Sequence, residues 1–211
     1  RFLWSFNTAI YVRDAFRCEI RDCWFENTEY DTPGGGYGVR MDLDPSDNLV
    51  ENNVIVGLRS PIIISGGSGN VFGYNYTGYC VNFDDRILQK NASIHAVYPK
   101  MNLFEGNVMT RAGADNTHGS SGFNTFFRNW CVGRSFEPRA QAWSTSYNWP
   151  TTIDAKARYM NYVGNVLGWP GMEGVYQRSG EARSVGESIV WPLGYTRDGD
   201  TEASGNDPLV E

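Results

Sequence analysis

Two histidines are the residues of this 211-residue chain best suited to acid–base chemistry, and the chain has no others. His95 precedes Asn102 by seven residues, and His118 precedes Asn124 by six. Asn102 and Asn124 hold equivalent places in a repeated phrase described below, so we expect both histidines on or near the first strand of adjacent repeats, close enough to touch. A histidine beside a carboxylate such as Asp115 can act as a general base or a general acid.

Charged side chains are expected around this histidine pair. A carboxylate would orient an imidazole, and an arginine or lysine would neutralise an anionic group such as a sugar carboxylate. The competing interpretation is structural, with both histidines satisfied in a polar ladder. The catalytic hypothesis names His118, His95, Asp115, Arg111 and Lys100, and a nearby insertion (residues 79–93) adds Asp84, Asp85 and Arg86 as candidate substrate-binding residues.

Aromatic residues are concentrated in a second long insertion, residues 134–156. Trp143, Tyr147 and Trp149 lie there, and long loops on a rigid scaffold often carry binding residues. Aromatic rings stack on sugar rings, so these three are candidate substrate-binding residues. The alternative is that they cover the side of the protein as a small core of their own.

Three carboxylates, Asp42, Asp44 and Asp47, cluster in one turn and are a candidate Ca²⁺ site, because calcium prefers oxygen ligands. Their spacing is not that of an EF-hand loop, and the closing glutamate is missing. A solvated turn with aspartate caps is the favoured interpretation.

The elements that must position these groups belong to one phrase repeated with drift. Each copy has two Asn five residues apart, an apolar residue two after the first, and an apolar or aromatic residue after the second. The clear copies are residues 48–54, 70–76, 102–108 and 124–130, with weaker copies at 18–24 and 160–166. Copies of nearly constant length separated by variable insertions predict a solenoid with functional loops on one side.

The segments inside each copy are short, rich in β-branched and aromatic residues, and broken by Gly and Asn, which is typical of strands. Apolar columns recur three residues before and one residue after the second Asn, so strands should stack in parallel with both columns inward. The Asn is expected to take a left-handed φ at a bend and to hydrogen-bond up its column. Ordinary hairpins in an antiparallel protein are the rival interpretation.

Residues 37–168 carry a family resemblance, in phrases such as Leu49-Val50-Glu51-Asn52-Asn53, Asn102-Leu103-Phe104-Glu105-Gly106-Asn107 and Val163-Gly164-Asn165-Val166-Leu167-Gly168. The chain resembles the pectate-lyase-like superfamily of right-handed parallel β-helices. That resemblance implies an all-β solenoid of about six coils with long inserted loops. It does not identify a reaction, because the superfamily includes lyases, hydrolases, epimerases, tailspikes and adhesins. The Arg-Ile-Lys of polygalacturonases is absent, and no pectate-lyase signature is present.

Composition limits the partners. The net charge is −6 and the pI about 5.0, which argues against nucleic acid, and no apolar run is long enough to span a membrane. Four cysteines match no zinc pattern, so we expect small buried thiols or else a Cys18–Cys23 disulfide. We expect a β-helix domain over residues 1–196, part of a longer chain, and a polar tail or further coil over 197–211.

The function favoured by these observations is action on, or binding of, a polysaccharide outside the cytoplasm, with a lyase or a hydrolase of acidic glycans as the candidate enzymes. The alternative is a non-enzymatic surface, fibre or tailspike-like protein that assembles through its coil ends. An extracellular or cell-surface location is expected in both cases.

Overall fold

A computed structural model describes residues 1–29, 34–78, 80, 88–135, 146–172, 174–179 and 186–195. Those residues form 21 strands, and none of them lies in a helix. Within the same ranges, no helix is long and apolar enough to cross a membrane. The predicted tail at 197–211 lies outside the described residues.

The strands belong to three sheets. Sheet A contains β1 (Phe2–Ser5), β4 (Trp24–Thr28), β7 (Val54–Val56), β10 (Tyr76–Thr77), β13 (Val108–Met109), β16 (Trp130–Cys131) and β19 (Val166–Leu167). Sheet B contains β2 (Thr8–Arg13), β5 (Tyr37–Asp42), β8 (Ser60–Ser65), β11 (Ala92–Ile94), β14 (Ala112–Ala114), β17 (Thr151–Asp154), β20 (Val175–Ser179) and β21 (Ile189–Tyr195). Sheet C contains β3 (Glu19–Arg21), β6 (Leu49–Glu51), β9 (Val71–Gly73), β12 (Leu103–Glu105), β15 (Thr125–Phe127) and β18 (Asn161–Val163).

The chain visits the sheets in a fixed order, so that each coil takes one strand from sheet B, then C, then A. The strand pairings among the described residues are parallel, and neighbours in each sheet come from successive coils. One departure occurs at the last coil, where β21 lies between β17 and β20. The protein is a right-handed parallel β-helix, which confirms the predicted fold class, and the antiparallel interpretation is wrong.

The core is a set of like residues stacked from coil to coil. The column three residues before the second Asn points inward, and the rings of Phe72, Phe104, Phe126 and Tyr162 stack at centroid distances of 4.8, 4.7 and 4.5 Å. Each of the three phenylalanines is fully buried, worth about 2–3 kcal/mol of transfer free energy. Trp191 closes this stack edge-on against Tyr162.

One predicted column points the wrong way. The residues directly after the second Asn face outward, and Trp24, Trp130 and Val166 are exposed. The next position faces inward instead, with Phe25 and Ile55 fully buried. The reason is the two-residue period of a strand: only one of two adjacent apolar positions can reach the core.

Two asparagine ladders flank sheet C along the solenoid. The second Asn of each phrase donates its amide to the side-chain oxygen of the next, as in Asn75 to Asn107 at 3.0 Å and Asn107 to Asn129 at 2.9 Å. The first Asn does the same, as in Asn70 to Asn102 at 2.9 Å. These amides are buried, so the ladders satisfy polar groups that would otherwise be costly at the corners.

The left-handed residue at each corner is not the asparagine, so that part of the prediction is wrong. The residue before each ladder position, which is an Asn or else Cys18, Cys23 or Met160, takes a φ between 52° and 69°. These residues form two sets: Arg17, Asp47, Gly69, Met101, Phe123 and Tyr159, and Asp22, Asn52, Tyr74, Gly106, Arg128 and Gly164. Large side chains at these positions carry strain of about 1 kcal/mol or more each. They tolerate it because the adjacent Asn is held by its ladder.

The insertions fall at one corner. Each connects a sheet A strand to a sheet B strand: β4 to β5, β10 to β11, and β16 to β17. The expected bounds are too wide, because 27–36 begins inside β4, 79–93 ends inside β11 and 134–156 contains all of β17. The four cysteines are free, so the Cys18–Cys23 disulfide is not formed, and burial raises the pKa of Cys131 to about 12. Cys18 and Cys23 instead stand at the start of the two Asn ladders, where their backbone N–H groups donate to Asn48 and Asn53.

Replacing one ladder residue tests this account of the corners. Asn107→Ala removes the acceptor for Asn75 and the donor to Asn129 and Phe72, and leaves them buried. We expect a loss of about 1–3 kcal/mol in the free energy of unfolding, measured by urea denaturation. Asn161→Ala is the control, because this asparagine is exposed and should cost less than about 0.5 kcal/mol. Equal losses in the two variants would contradict the ladder account.

Candidate functional site

The strand register of sheet B places the first histidine beside a carboxylate. Ile94 and Ala114 pair across β11 and β14, and both are fully buried. The residues that directly follow these two strands, His95 and Asp115, therefore point outward. The two lie on neighbouring coils, and the backbone N–H of Asp115 donates to the carbonyl of Ile94 at 3.1 Å.

Asp115 is the centre of the cluster. Its Oδ1 lies 2.8 Å from Nδ1 of His95 and accepts from the backbone N–H of Thr117 at 3.1 Å. Its Oδ2 accepts from Nζ of Lys90 at 2.5 Å. Burial opposes ionisation of this carboxyl, but the charge of Lys90 and the hydrogen bond from His95 outweigh it and hold its pKa well below the ordinary range.

The ionised Asp115 determines how His95 can act. An ionised carboxylate only accepts hydrogen bonds, so Nδ1 of His95 carries the proton in the pair. The opposite nitrogen, Nε2, then has a free lone pair when the ring is neutral. The His95 side chain is 25% exposed and points outward. The arrangement is that of a base held in one orientation by a buried acid, the logic of histidine–aspartate pairs in general acid–base catalysis.

His118 contacts His95, as the matched offsets predicted. Their ring centroids are 5.5 Å apart and the planes meet at 82°. His118 is exposed and takes a left-handed φ of 64°, and Gly119 packs so closely on the backbone of Ala96 that an added Cβ would lie 2.8 Å from its carbonyl oxygen. This turn therefore presses the His118 loop against the loop that follows His95.

The outward row containing His95 and Asp115 continues across earlier coils. Ser65 is in register with His95 and lies one coil before it, and Asp42 is in register with Ser65 and lies two coils before His95. The Asp42 carboxylate accepts from Tyr11 at 2.6 Å and from Nε of Arg40 at 2.9 Å. Burial alone would raise the pKa of Asp42. The hydrogen bonds from Arg40 and Tyr11 together have a larger opposite effect, so the pKa lies below the ordinary value.

The calcium hypothesis finds no support in this arrangement. Asp42 is engaged by Arg40 and Tyr11, whereas Asp44 and Asp47 are exposed at the turn. Across the described ranges, no group of three or more His, Cys, Asp or Glu side chains could hold a metal ion. Asp42 belongs to strand β5 and faces outward from sheet B, so its carboxylate does not point toward those of Asp44 and Asp47 in the turn.

Two of the predicted cations lie elsewhere. Arg111 precedes β14, at the opposite end of that strand from Asp115, and its Nε donates to Thr152 and its Nη1 to the carbonyl of Leu88. It is buried and stacks over Tyr147 and Trp149. Lys100 is exposed at the corner before sheet C, bridged to Ser68 and Gly122 through its backbone. Neither is placed as the cationic partner of the histidines.

The two aromatic candidates in the described residues, Tyr147 and Trp149, pack against each other rather than line an open surface. Trp149 is fully buried and its indole N–H donates to the carbonyl of Glu187 at 2.9 Å, so it belongs to the small core that was the alternative interpretation. Tyr147 packs edge-on against it and is partly exposed. Trp143 and the loop residues Asp84, Asp85 and Arg86 lie outside the described residues.

Lys90 is the site residue that the sequence did not place beside the histidines. It lies in the expected 79–93 insertion, but its partner is 25 residues away. The available signal was its place two residues before β11, from which a long lysine stem can run along the outer face of sheet B. A positive charge alone made Lys100 and Arg111 equally good candidates for the cation beside the histidines.

Comparison with protein-family models, with curated proteins and with solved structures found no match to this chain.

The depressed pKa of Asp115 predicts a pH-dependent contribution to stability. A carboxyl whose folded pKa lies below its unfolded value of about 3.9 stabilises the fold above that pH, and the contribution is lost as pH falls through the folded pKa. Asp115→Asn should therefore lower the free energy of unfolding by about 1–3 kcal/mol at pH 7 and by progressively less in acid, measured by urea denaturation across pH. Asp44→Asn, at an exposed turn, is the control. A cost for Asp115→Asn that does not change with pH would contradict this.

Proposed function

We propose that the protein is a polysaccharide-acting enzyme in which His95, oriented by Asp115, is the general base or acid. The observation that carries this is the 2.8 Å contact between Nδ1 of His95 and Oδ1 of Asp115 on the outer face of sheet B. It supports a role for Nε2 in taking a proton from, or giving one to, a bound substrate. Lys90 keeps the carboxylate ionised, and His118 contacts the imidazole edge-on.

A polymeric substrate is favoured by how the polar groups are distributed. Asp42 and Ser65 extend the His95–Asp115 row over four successive coils, about 14 Å at the usual strand spacing. Arg40 lies two coils from His95, and its partly exposed guanidinium sits over the rings of Tyr11 and Tyr37. Such a line of sites suits an extended chain better than a compact molecule.

Acidic glycans are the proposed substrate class. Arg40 lies beside this row and is paired with Asp42, but its guanidinium is partly exposed, and its remaining N–H groups could bind a sugar carboxylate. In a lyase reaction, Nε2 of His95 would take the proton α to that carboxylate, a C=C bond would form, and the glycosidic C–O bond at the β carbon would break with its electron pair leaving on oxygen, which takes a proton from water. In a hydrolase reaction it would activate water or protonate the leaving oxygen. Membership of the pectate-lyase-like superfamily and an extracellular or cell-surface location are parts of this proposal.

The second candidate is a non-enzymatic role in assembly. It is favoured by Phe2, Trp4 and Phe6 on the first coil, which are exposed and line an open pocket of about 680 Å³ together with Tyr11 and Arg40. Exposed aromatic surface of this kind is a usual site of protein contact. Association that depends on protein concentration, with no activity on any polymer, would favour this candidate.

The enzymatic proposal predicts a graded loss of activity. On polymers of uronic acids, scored by unsaturated products for a lyase and by new reducing ends for a hydrolase, His95→Gln should lower kcat by about 10²-fold or more. Asp115→Asn should lower kcat by about tenfold to 10²-fold with little effect on KM, because it frees the imidazole to rotate. His118→Ala should have a smaller effect, since it contacts the ring but not the carboxylate.

Lys100→Ala is the matched control, a cation that the structure places away from the pair, and its activity should equal that of the unaltered protein. An unchanged rate in His95→Gln, with the fold intact by circular dichroism, would overturn the proposed role of His95.

A further inference from the structure

A straight row of apolar residues runs along the outer face of sheet A, and the column next to it in sequence faces the core. The strand register aligns one residue from each of six successive coils: Trp24, Val54, Tyr76, Val108, Trp130 and Val166. Each follows the second Asn of its phrase, and each points outward because the following residue faces the core. The row includes no charged side chain.

The aromatic members of the row are accessible and fixed in place. Trp24 is 39% exposed and Trp130 is 42% exposed, and Tyr76 is partly exposed. The indole N–H of Trp24 donates to Oε2 of Glu26 at 2.9 Å, and that of Trp130 donates to the carbonyl of Gly168 at 3.1 Å. With both indole N–H groups bonded, the exposed part of each ring needs no further hydrogen bond, and the Arg1 guanidinium lies 5.8 Å from the centroid of the Trp24 ring.

The spacing of the aromatic residues is regular. Val54 separates Trp24 from Tyr76, and Val108 separates Tyr76 from Trp130, so an aromatic side chain recurs at every second coil. At the usual distance between paired strands, two coils span about 10 Å. A linear β-1,4-linked glycan with two-fold screw symmetry presents the same sugar face at every second unit, and that repeat closely matches two coils.

From this register we propose that the outer face of sheet A binds a linear, uncharged β-1,4-linked glycan lying along the solenoid axis. Trp24, Tyr76 and Trp130 contact the apolar C–H faces of alternate sugars, and Val54 and Val108 lie beneath the sugars between them. The hydroxyl groups of such a chain point sideways from the row and stay in water.

A slender, neutral occupant fits this surface better than a second copy of the protein. The row is one side chain wide and about 24 Å long, roughly 250 Å². A stable protein dimer buries about 800 Å² on each partner. The charges at the first end of the row are Glu26 and Arg1, whose guanidinium lies 5.8 Å from the centroid of the Trp24 ring. They pair with each other at 3.1 Å, so the surface offers little to an ionic partner.

This site does not depend on the proposed catalytic function. It uses sheet A, whereas His95, Asp115 and Lys90 belong to sheet B and its loops. Binding at the aromatic row and chemistry at the histidine pair can therefore be tested separately.

The test is binding of the purified protein to insoluble cellulose and chitin, and to cello-oligosaccharides by calorimetry, with amylose as the α-linked comparison. Trp24→Ala and Trp130→Ala should each raise Kd for the β-1,4 ligands about tenfold or more, and the double variant should abolish retention. Tyr176→Ala, which removes an exposed aromatic ring from sheet B, should leave Kd unchanged, and so should His95→Gln. Amylose should not be retained.

Three results would overturn the proposal. One is no binding of any β-1,4 glycan by the unaltered protein, and another is undiminished binding by the double tryptophan variant. The third is self-association in ultracentrifugation that the double variant abolishes, which would make a second copy the occupant. Circular dichroism of each variant establishes that a loss of binding is not a loss of fold.

Discussion

Amide hydrogen bonds between asparagines of successive coils are the interaction on which the rest of this structure depends. Every ladder amide except the last of each ladder, Asn124 and Asn165, bonds to the asparagine of the next coil. Most also bond to a backbone carbonyl of the preceding coil, as in Asn107 to Phe72, so a shift of one residue would break several buried bonds at once. The ladders hold corner residues such as Met101 and Phe123 in a left-handed conformation that they would not adopt alone. The phenylalanine stack inside sheet C follows, because ladders on both sides of it bring Phe72, Phe104 and Phe126 into line.

A fixed register turns positions that are distant in sequence into rows on the surface. On sheet B the row places His95 beside Asp115, and on sheet A it aligns Trp24 with Tyr76 and Trp130. Both rows run along the solenoid axis, and both repeat at the distance between coils. That geometry favours long ligands with a repeat of their own, which is why the two proposals concern polysaccharides, one for chemistry and one for attachment.

The fold was predictable because the repeated phrase encodes it directly: paired Asn, an apolar residue between them, and insertions at one place in each unit. The contact of His95 with His118 was predicted by counting from equivalent asparagines, but the residue in register with His95 is Asp115, and His118 reaches the ring from a turn three residues farther on. The orientation of the Trp24 column was not, because two adjacent apolar positions compete for one inward place and only the strand pleat decides. Lys90 was not placed beside the histidines because long side chains reach across coils, and the buried state of Arg111 and Trp149 depends on loop packing that no periodicity records.

The central claim is that coil register orients His95 through Asp115, and the protonation pattern of the imidazole nitrogens tests it most directly. Nitrogen-15 NMR of the neutral rings distinguishes the two tautomers of each histidine. The structure predicts that neutral His95 carries its proton on Nδ1, and that this preference disappears in Asp115→Asn while His118 changes little. A neutral His95 protonated on Nε2, with the same spectrum in both proteins, would contradict the account.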